Sequence, residues 1–182
     1  MAVQDEILFA RAGEDIVVVK PVGHGTMALA PCLRQVDAEL SANGRPLRYV
    51  VDLSDCASMD STFMGTLAGL ALHQQKATGR PMVVVNAGET PRRQMKTLGL
   101  NYMLKVYPED AETAGIANEL EHFERVRACD VSDVERIVHM IESHQTLVDM
   151  NSGNELKFRS VLEHLEQSLK RAAQKEQNPS GK

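Results

Sequence analysis

Serine, histidine and aspartate are the side chains from which a nucleophile and its base could be assembled, and Ser61, His73 and Asp52 are the set to test. Ser61 and His73 fall in one stretch that reads as a helix, where a twelve-residue separation at 1.5 Å per residue puts roughly 18 Å between them. A base has to come within roughly 3 Å of the hydroxyl it deprotonates, so this triad fails. No Gly-x-Ser-x-Gly elbow surrounds Ser61, and Asp55 and Asp60 lie in a loop without a partner pattern. His139 and His144 are five apart, which turns them to different faces of a helix, whereas a zinc pair needs one shared face; they read as surface or seam residues. Gly23-His24-Gly25 has no third glycine and no Lys-Ser or Lys-Thr after it, so it reads as a loop and not a phosphate cradle. Gly65 and Gly69 share a helix face and are expected to let that helix approach a sheet closely. The expectation is therefore a protein that catalyses nothing, with no metal site and no cofactor.

One segment stays chemically interesting. From Asp52 to Gly65 the chain leaves a buried strand, crosses a small polar loop and enters a helix at Ser61 or Thr62. The plain reading is that Ser61 caps the helix, its hydroxyl accepting from a backbone N–H two or three residues on. The functional reading is that the same hydroxyl, beside free N–H groups at the positive end of a helix dipole, can accept a phosphoryl group.

The elements that must position this segment follow from composition and periodicity. A chain of 182 residues has room for one domain, or one domain and an appendage. Its 43% hydrophobic and 25% charged residues argue against collagen-like, wholly disordered and disulfide-framework classes. A net charge of -5, no Trp and 4% aromatics give neither a footprint for phosphate backbones nor platforms for stacked bases, so nucleic acid is not an expected partner. Cys32, Cys56 and Cys129 are odd in number and without a C-x-x-C pair, which predicts free thiols and a reducing compartment. The N-terminus MAVQDEILFA carries acids where a secretion signal carries Lys or Arg, and no apolar run reaches the eighteen or so residues that span a bilayer. No membrane insertion and a cytoplasmic location are expected.

Ile7 to Ala10 and Ile16 to Lys20, separated by Gly13-Glu14-Asp15, predict a hairpin. Pro31, Leu33, Val36 and Leu40 predict a helix ending at Asn43-Gly44, followed by a strand over Arg48 to Leu53. Tyr49-Val50-Val51 and Met82 to Val85 are continuous β-formers, as in strands covered on both faces. Between them, Thr62 to Ala77 reads as a helix closed by Gly79 and Pro81. Thr90-Pro91 predicts a capped helix start with Gly99 as its stop, and Tyr102 to Tyr107 a last strand. Beyond Pro108 every apolar residue falls in helical register: one helix over Ala111 to Arg127, then two opened by the capping boxes Ser132/Glu135 and Ser152/Glu155. Val134, Ile141 and Val148 repeat every seven residues, as do Phe158, Leu165 and Ala172. The resulting hairpin either packs on its own domain or forms a dimer seam.

Asp52-Leu-Ser, Met59-Asp60-Ser61-Thr62, the helix bearing Gly65, Gly79-Arg-Pro-Met-Val-Val-Val, and Arg93 to Leu100 together resemble the STAS domain of bacterial anti-sigma factor antagonists over about Ile7 to Glu121. The resemblance implies an α/β (α+β) fold, a small mixed sheet flanked by helices. With the helical hairpin read above, which has no counterpart in the minimal STAS domain, the expected division is a STAS domain at 1–127, a C-terminal helical hairpin at 128–177 for dimerisation or partner docking, and a disordered tail at 178–182. The resemblance also implies a non-enzymatic switch in signal transduction and transcription regulation. Ser61 is its phosphoacceptor, with Thr62 as the alternative, and Asp55, Ser58, Asp60, Thr62 and Phe63 form the partner face. The implied partners are a serine kinase that is also an anti-sigma factor, captured by the unphosphorylated form, and a phosphatase that resets the switch. The alternative within the fold is a constitutive adaptor that binds a transport ATPase or a small molecule. Asp60-Ser61-Thr62-Phe63 departs from the usual Asp-Ser-Ser-Gly by placing a bulky ring where a partner backbone would come close.

Overall fold

The computed structural model describes residues 4–42, 44–107, 115, 117, 120–126 and 129–177. Two strands open the chain, β1 (Glu6–Ala12) and β2 (Ile16–Gly25), paired antiparallel as the turn residues between them predict. Helix α1 (Ala30–Ser41) follows, with Pro31 in its first turn where a missing N–H costs nothing. Next come β3 (Arg48–Asp52), β4 (Cys56–Met59), α2 (Ser61–Thr78), β5 (Val83–Val85), α3 (Glu89–Leu98) and β6 (Lys105–Val106). Strand β7 (Glu124–Arg125) returns to β1, and α4 (Asp133–Met150) and α5 (Glu155–Gln177) complete the chain as a helical hairpin. The sheet is mixed and seven-stranded in the order β6-β5-β3-β2-β1-β7, with β4 pairing the far end of β2.

The continuous valine runs are read correctly as doubly covered strands. Val17, Val19, Tyr49, Val51 and Val84 point into the main core beneath α1, α2 and α3. Val18, Val50 and Val85 point the other way, onto Ala117, Leu120 and Phe123. Successive side chains of a strand alternate between faces, so only an unbroken apolar run serves two layers at once.

Several expectations are corrected. Gly23-His24-Gly25 is no loop: it continues β2, with the pairing to β4 shifting register between Gly23 and His24 and Gly23 at φ +75°. The polar loop after Asp52 contains strand β4, whose four residues are too short a run to signal themselves. Gly88, and not Thr90, precedes the first turn of α3, and Thr90 lies inside it. Of the strand expected over Tyr102 to Tyr107 only Lys105–Val106 forms, because Leu100–Tyr102 is a 3-10 turn. The helix expected over Ala111 to Arg127 fails at Glu124–Arg125, which is strand; Ala111 and Arg127 lie outside the described residues, as do Asn43, Pro108 and the tail 178–182. Cys32 and Cys129 are joined as a disulfide, so the cysteines are not all free and the argument for a reducing compartment lapses; Cys56 remains a free, buried thiol. No helix among the described residues is long and apolar enough to cross a membrane.

The hairpin packs on its own domain. Ser132 and Glu135 form the expected capping box, but Ser152–Asn154 is a 3-10 turn, with Asn151 accepting from Gly153 N in place of the second box. Asn154, fully buried, donates to the carbonyls of Leu98 and Leu147 at 2.9 Å, and this fastens the hairpin tip to the end of α3. Leu147 and Phe158 join the main core. The buried face of α4 is His139, Ser143, His144 and Leu147, whereas Val134, Ile141 and Val148 are only half-buried, so the apolar heptad is not the line of contact.

The physical reason lies in α2. Gly65 faces α4 and not the sheet: a Cβ there would stand 2.3 Å from the Ser143 carbonyl oxygen. The two backbones touch at this point, and hydroxyls and imidazoles on both flanks of α4 reach α2. Gly65→Ala is expected to lower stability by about 1–3 kcal/mol through overpacking. Gly69→Ala, four residues on, has nothing within 4 Å of its new methyl and is expected to be neutral or stabilising by up to about 1 kcal/mol. Urea midpoints of the two variants check this, and equal shifts refute the close contact.

Candidate functional site

Asp60, the residue before α2, has extended backbone and accepts from Phe63 N at 2.8 Å through Oδ1, which makes it the helix cap. Its Oδ2 accepts from Met27 N and so fastens the loop after β2 to the same point. Ser61 is therefore not the cap. It occupies the first helical position, half-buried, and its hydroxyl makes no bond to its own helix.

That hydroxyl lies 2.9 Å from His144 Nε2, on a residue 83 positions away in α4. His144 Nδ1 is 2.7 Å from the Met140 carbonyl oxygen, which only accepts. The proton of the neutral ring thus sits on Nδ1, Nε2 is the acceptor, and Ser61 Oγ–H donates to it. The ring is 4% exposed and meets Phe158 of α5 edge-on, with centroids 4.9 Å apart.

One turn along α2, Thr66 Oγ1 donates to the Thr62 carbonyl at 2.9 Å and lies 2.9 Å from His139 Nε2 and 3.2 Å from Ser143 Oγ. Its single proton is committed, so His139 and Ser143 donate to it. Burial, with Arg34 nearby, holds the His139 imidazole below its ordinary value of 6.5, against a smaller opposing pull from Glu142. Both histidines are thus interior residues bonded to α2, which corrects their reading as surface or seam positions. Five residues apart, they straddle the line of contact, one on each side of Ser143. Nothing in the local sequence of α4 announces their partners, which come from α2.

The residues of the implied partner face separate. Asp55 is exposed and paired with Lys20 at 2.7 Å, and Ser58, half-buried, has its hydroxyl 2.8 Å from His24 Nδ1. Asp60 is half-buried and committed to its two backbone donors. Thr62 is 4% exposed and Phe63 fully buried. The Phe63 ring lies where a Cβ on Gly25 would be, 2.7 Å away, so the bulky departure from the Asp-Ser-Ser-Gly pattern is absorbed by a glycine of β2 and is not presented outward. Thr62 is thus buried, whereas Ser61 is half-buried.

The rejected triad stays apart. His73 pairs with Asp37 at 3.3 Å, and Asp52, 3% exposed, accepts from Ser54 N and Asn86 Nδ2 with Lys20 at 3.8 Å. Beside the α2–α4 contact is a cavity of about 250 Å³ whose lining includes Arg34, His73, His139 and Glu142 but not Ser61. Among the described residues no group of His, Cys, Asp and Glu is arranged to hold a metal ion.

The family profile described as STAS domain matches residues 9–113. The chain belongs to the STAS domain family. Among solved structures, the STAS chain is similar to an anti-sigma factor antagonist from Mycobacterium paratuberculosis, 24% identical with a TM-score of 0.51, over 63% of this chain and 93% of that one. It is also similar to a Thermotoga maritima protein assigned as an anti-sigma factor antagonist, 17% identical with a TM-score of 0.51, over 60% and 91%. At these identities the likeness establishes the fold, the expected mixed sheet flanked by helices. No curated protein matches the chain. The STAS match ends before α4, so the hairpin that supplies His144 and His139 lies beyond it.

The depressed value of His139 has a definite sign. The unfolded chain takes up a proton near pH 6.5 that the native ring refuses, so this residue's contribution is complete above that value and is lost as the pH falls toward the native one. Thermal unfolding followed from about pH 7.5 down to 5 is expected to show a falling Tm, with a shallower fall in His139→Gln, which keeps an amide donor for Thr66. Parallel curves for the two proteins refute the assignment.

Proposed function

We propose that this STAS protein is a phosphorylation-controlled interaction switch of the anti-sigma factor antagonist type, with Ser61 as the phosphoacceptor. In this reading the unmodified form captures a serine kinase that is also an anti-sigma factor, a phosphatase resets it, and the exchange takes place in the cytoplasm, where sigma factors act. The observation that carries the reading is the division of labour at the start of α2. Asp60 takes over the cap, which frees the adjacent Ser61 hydroxyl from its own helix.

The partner face consists of exposed Asp55 and half-buried Ser58 and Asp60 beside Ser61, whose hydroxyl is turned to α4, and Thr62 and Phe63 support it from inside. The switch is electrostatic. A phosphate of about -1.5 to -2 charge has to lose water beside the Asp60 carboxylate when a partner covers it. A penalty of only about 1.4 kcal/mol already weakens capture tenfold. Asp55 adds less repulsion than its charge suggests, because Lys20 neutralises it.

A second reading, a constitutive adaptor that binds a small molecule, draws on the cavity between α1, α2 and α4. Phosphopeptide mass spectrometry on protein from its native host separates the two. The switch requires phosphate on Ser61, and the adaptor carries none. For the switch, Ser61→Ala is expected to keep partner capture and Ser61→Asp to weaken it by about tenfold or more; equal capture by the two variants defeats the reading. A serine-directed fluorophosphonate is expected to leave Ser61 unlabelled, because the cavity beside the α2–α4 contact does not include it, and labelling would argue for an enzyme.

A further inference from the structure

We propose that α4 on its seat and a phosphoryl group on Ser61 exclude one another, so that the C-terminal hairpin is an intramolecular cover over the acceptor and modification loosens it. The inference rests on the reading of Ser61 as the acceptor and adds to it a regulator in the same chain.

The geometry is tight on every side. Ser61 Oγ is already at hydrogen-bond distance, 2.9 Å, from His144 Nε2, and a phosphorus with three more oxygens does not fit between them. The ring has no free direction in which to retreat. Its Nδ1–H is held by the Met140 carbonyl, its edge rests against Phe158, and it is 4% exposed. Room can be made only by moving α4 away from α2, which opens the close contact between the Ser143 carbonyl and Gly65. Turning the phosphate away about χ1 removes the proton that Nε2 accepts and strands a buried nitrogen. Either way the modified serine works against the seat of α4.

The cover is held so that it can return. Cys129, four residues before α4, is joined to Cys32 in α1, and Asn154 at the hairpin tip is bonded to the end of α3. A lifted α4 stays tethered at high effective concentration and closes again when the phosphate is removed. By thermodynamic reciprocity, whatever lifts α4 also favours modification at Ser61.

Hydrogen exchange on the full chain tests this, with phosphoserine incorporated at position 61 during synthesis and compared with the unmodified protein and with Ser61→Ala. In the phosphoserine protein, amides of 135–150 are expected to exchange at least about tenfold faster than in the unmodified protein, within the usual range of coupling between sites. Ser61→Ala, which loses the bond but adds no bulk or charge, is expected to show a smaller increase. Amides of β3 and β5 should be unchanged in all three proteins.

Unaltered exchange over 135–150 in the phosphoserine protein overturns the proposal. Equal acceleration in Ser61→Ala also does, because loss of the bond alone would then account for the loosening. Because the phosphate is installed synthetically, this result stands apart from whether cells modify Ser61. Absence of phosphate in the native host removes the proposed switch and leaves the coupling itself intact.

Discussion

One carboxylate organises the site. Asp60 Oδ1 caps α2 and its Oδ2 holds the backbone of Met27, so two separate chain segments converge on a side chain that is itself only half-buried. Charge-assisted bonds to backbone N–H groups are among the stronger polar contacts in a protein, and an acidic group at a helix N-terminus gains further from the dipole. The consequence falls on the next residue. With the cap supplied by its neighbour, Ser61 has a hydroxyl without local employment, and its orientation is set by the distant His144.

The contact between α2 and α4 reverses the usual division between apolar inside and polar outside. At its centre are a glycine and a backbone carbonyl, flanked by Ser61–His144, Thr66–His139 and Thr66–Ser143. Apolar support comes from Leu147 and Phe158, at one end of this polar row and across from it. Such an interface is stable only if every polar member is satisfied, and here donors and acceptors match: Thr66 receives two donors and gives one, and His144 gives one and receives one.

Much of the fold was legible because it rests on local signals. The antiparallel start, the doubly buried valine strands, Gly79 closing α2 and Gly99 closing α3 all follow from turn chemistry and periodicity. Three of the errors share a physical cause, which is that long-range partners overrode a local pattern. Gly25 reads as loop until Phe63 is known to need its missing side chain. Val134, Ile141 and Val148 form the better apolar stripe, yet α4 buries the polar face that complements α2. Cys32 and Cys129 are 97 residues apart, and spacing carries no information about pairing at that range. At the site, the serine and its aspartate were visible as a motif, while His144 was not, because an isolated histidine in an amphipathic helix has no signature of the hydroxyl it will meet.

The same matching makes the seat on α2 selective. An arbitrary apolar helix laid in the place of α4 would bury the Ser61 hydroxyl without a partner, at roughly 1–3 kcal/mol, and leave Thr66 only the carbonyl of its own helix. It would also need a backbone free of bulk opposite Gly65 to come as close as Ser143 does. A protein that docks on this face must therefore satisfy the Ser61 hydroxyl, accept a looser fit, or approach only the loop edge formed by Asp55 and Ser58. Specificity here comes from what the seat rejects as much as from what it attracts. The hairpin, supplied by the same chain and joined to α1 by Cys129, meets these requirements without the loss of translational freedom that any separate partner incurs.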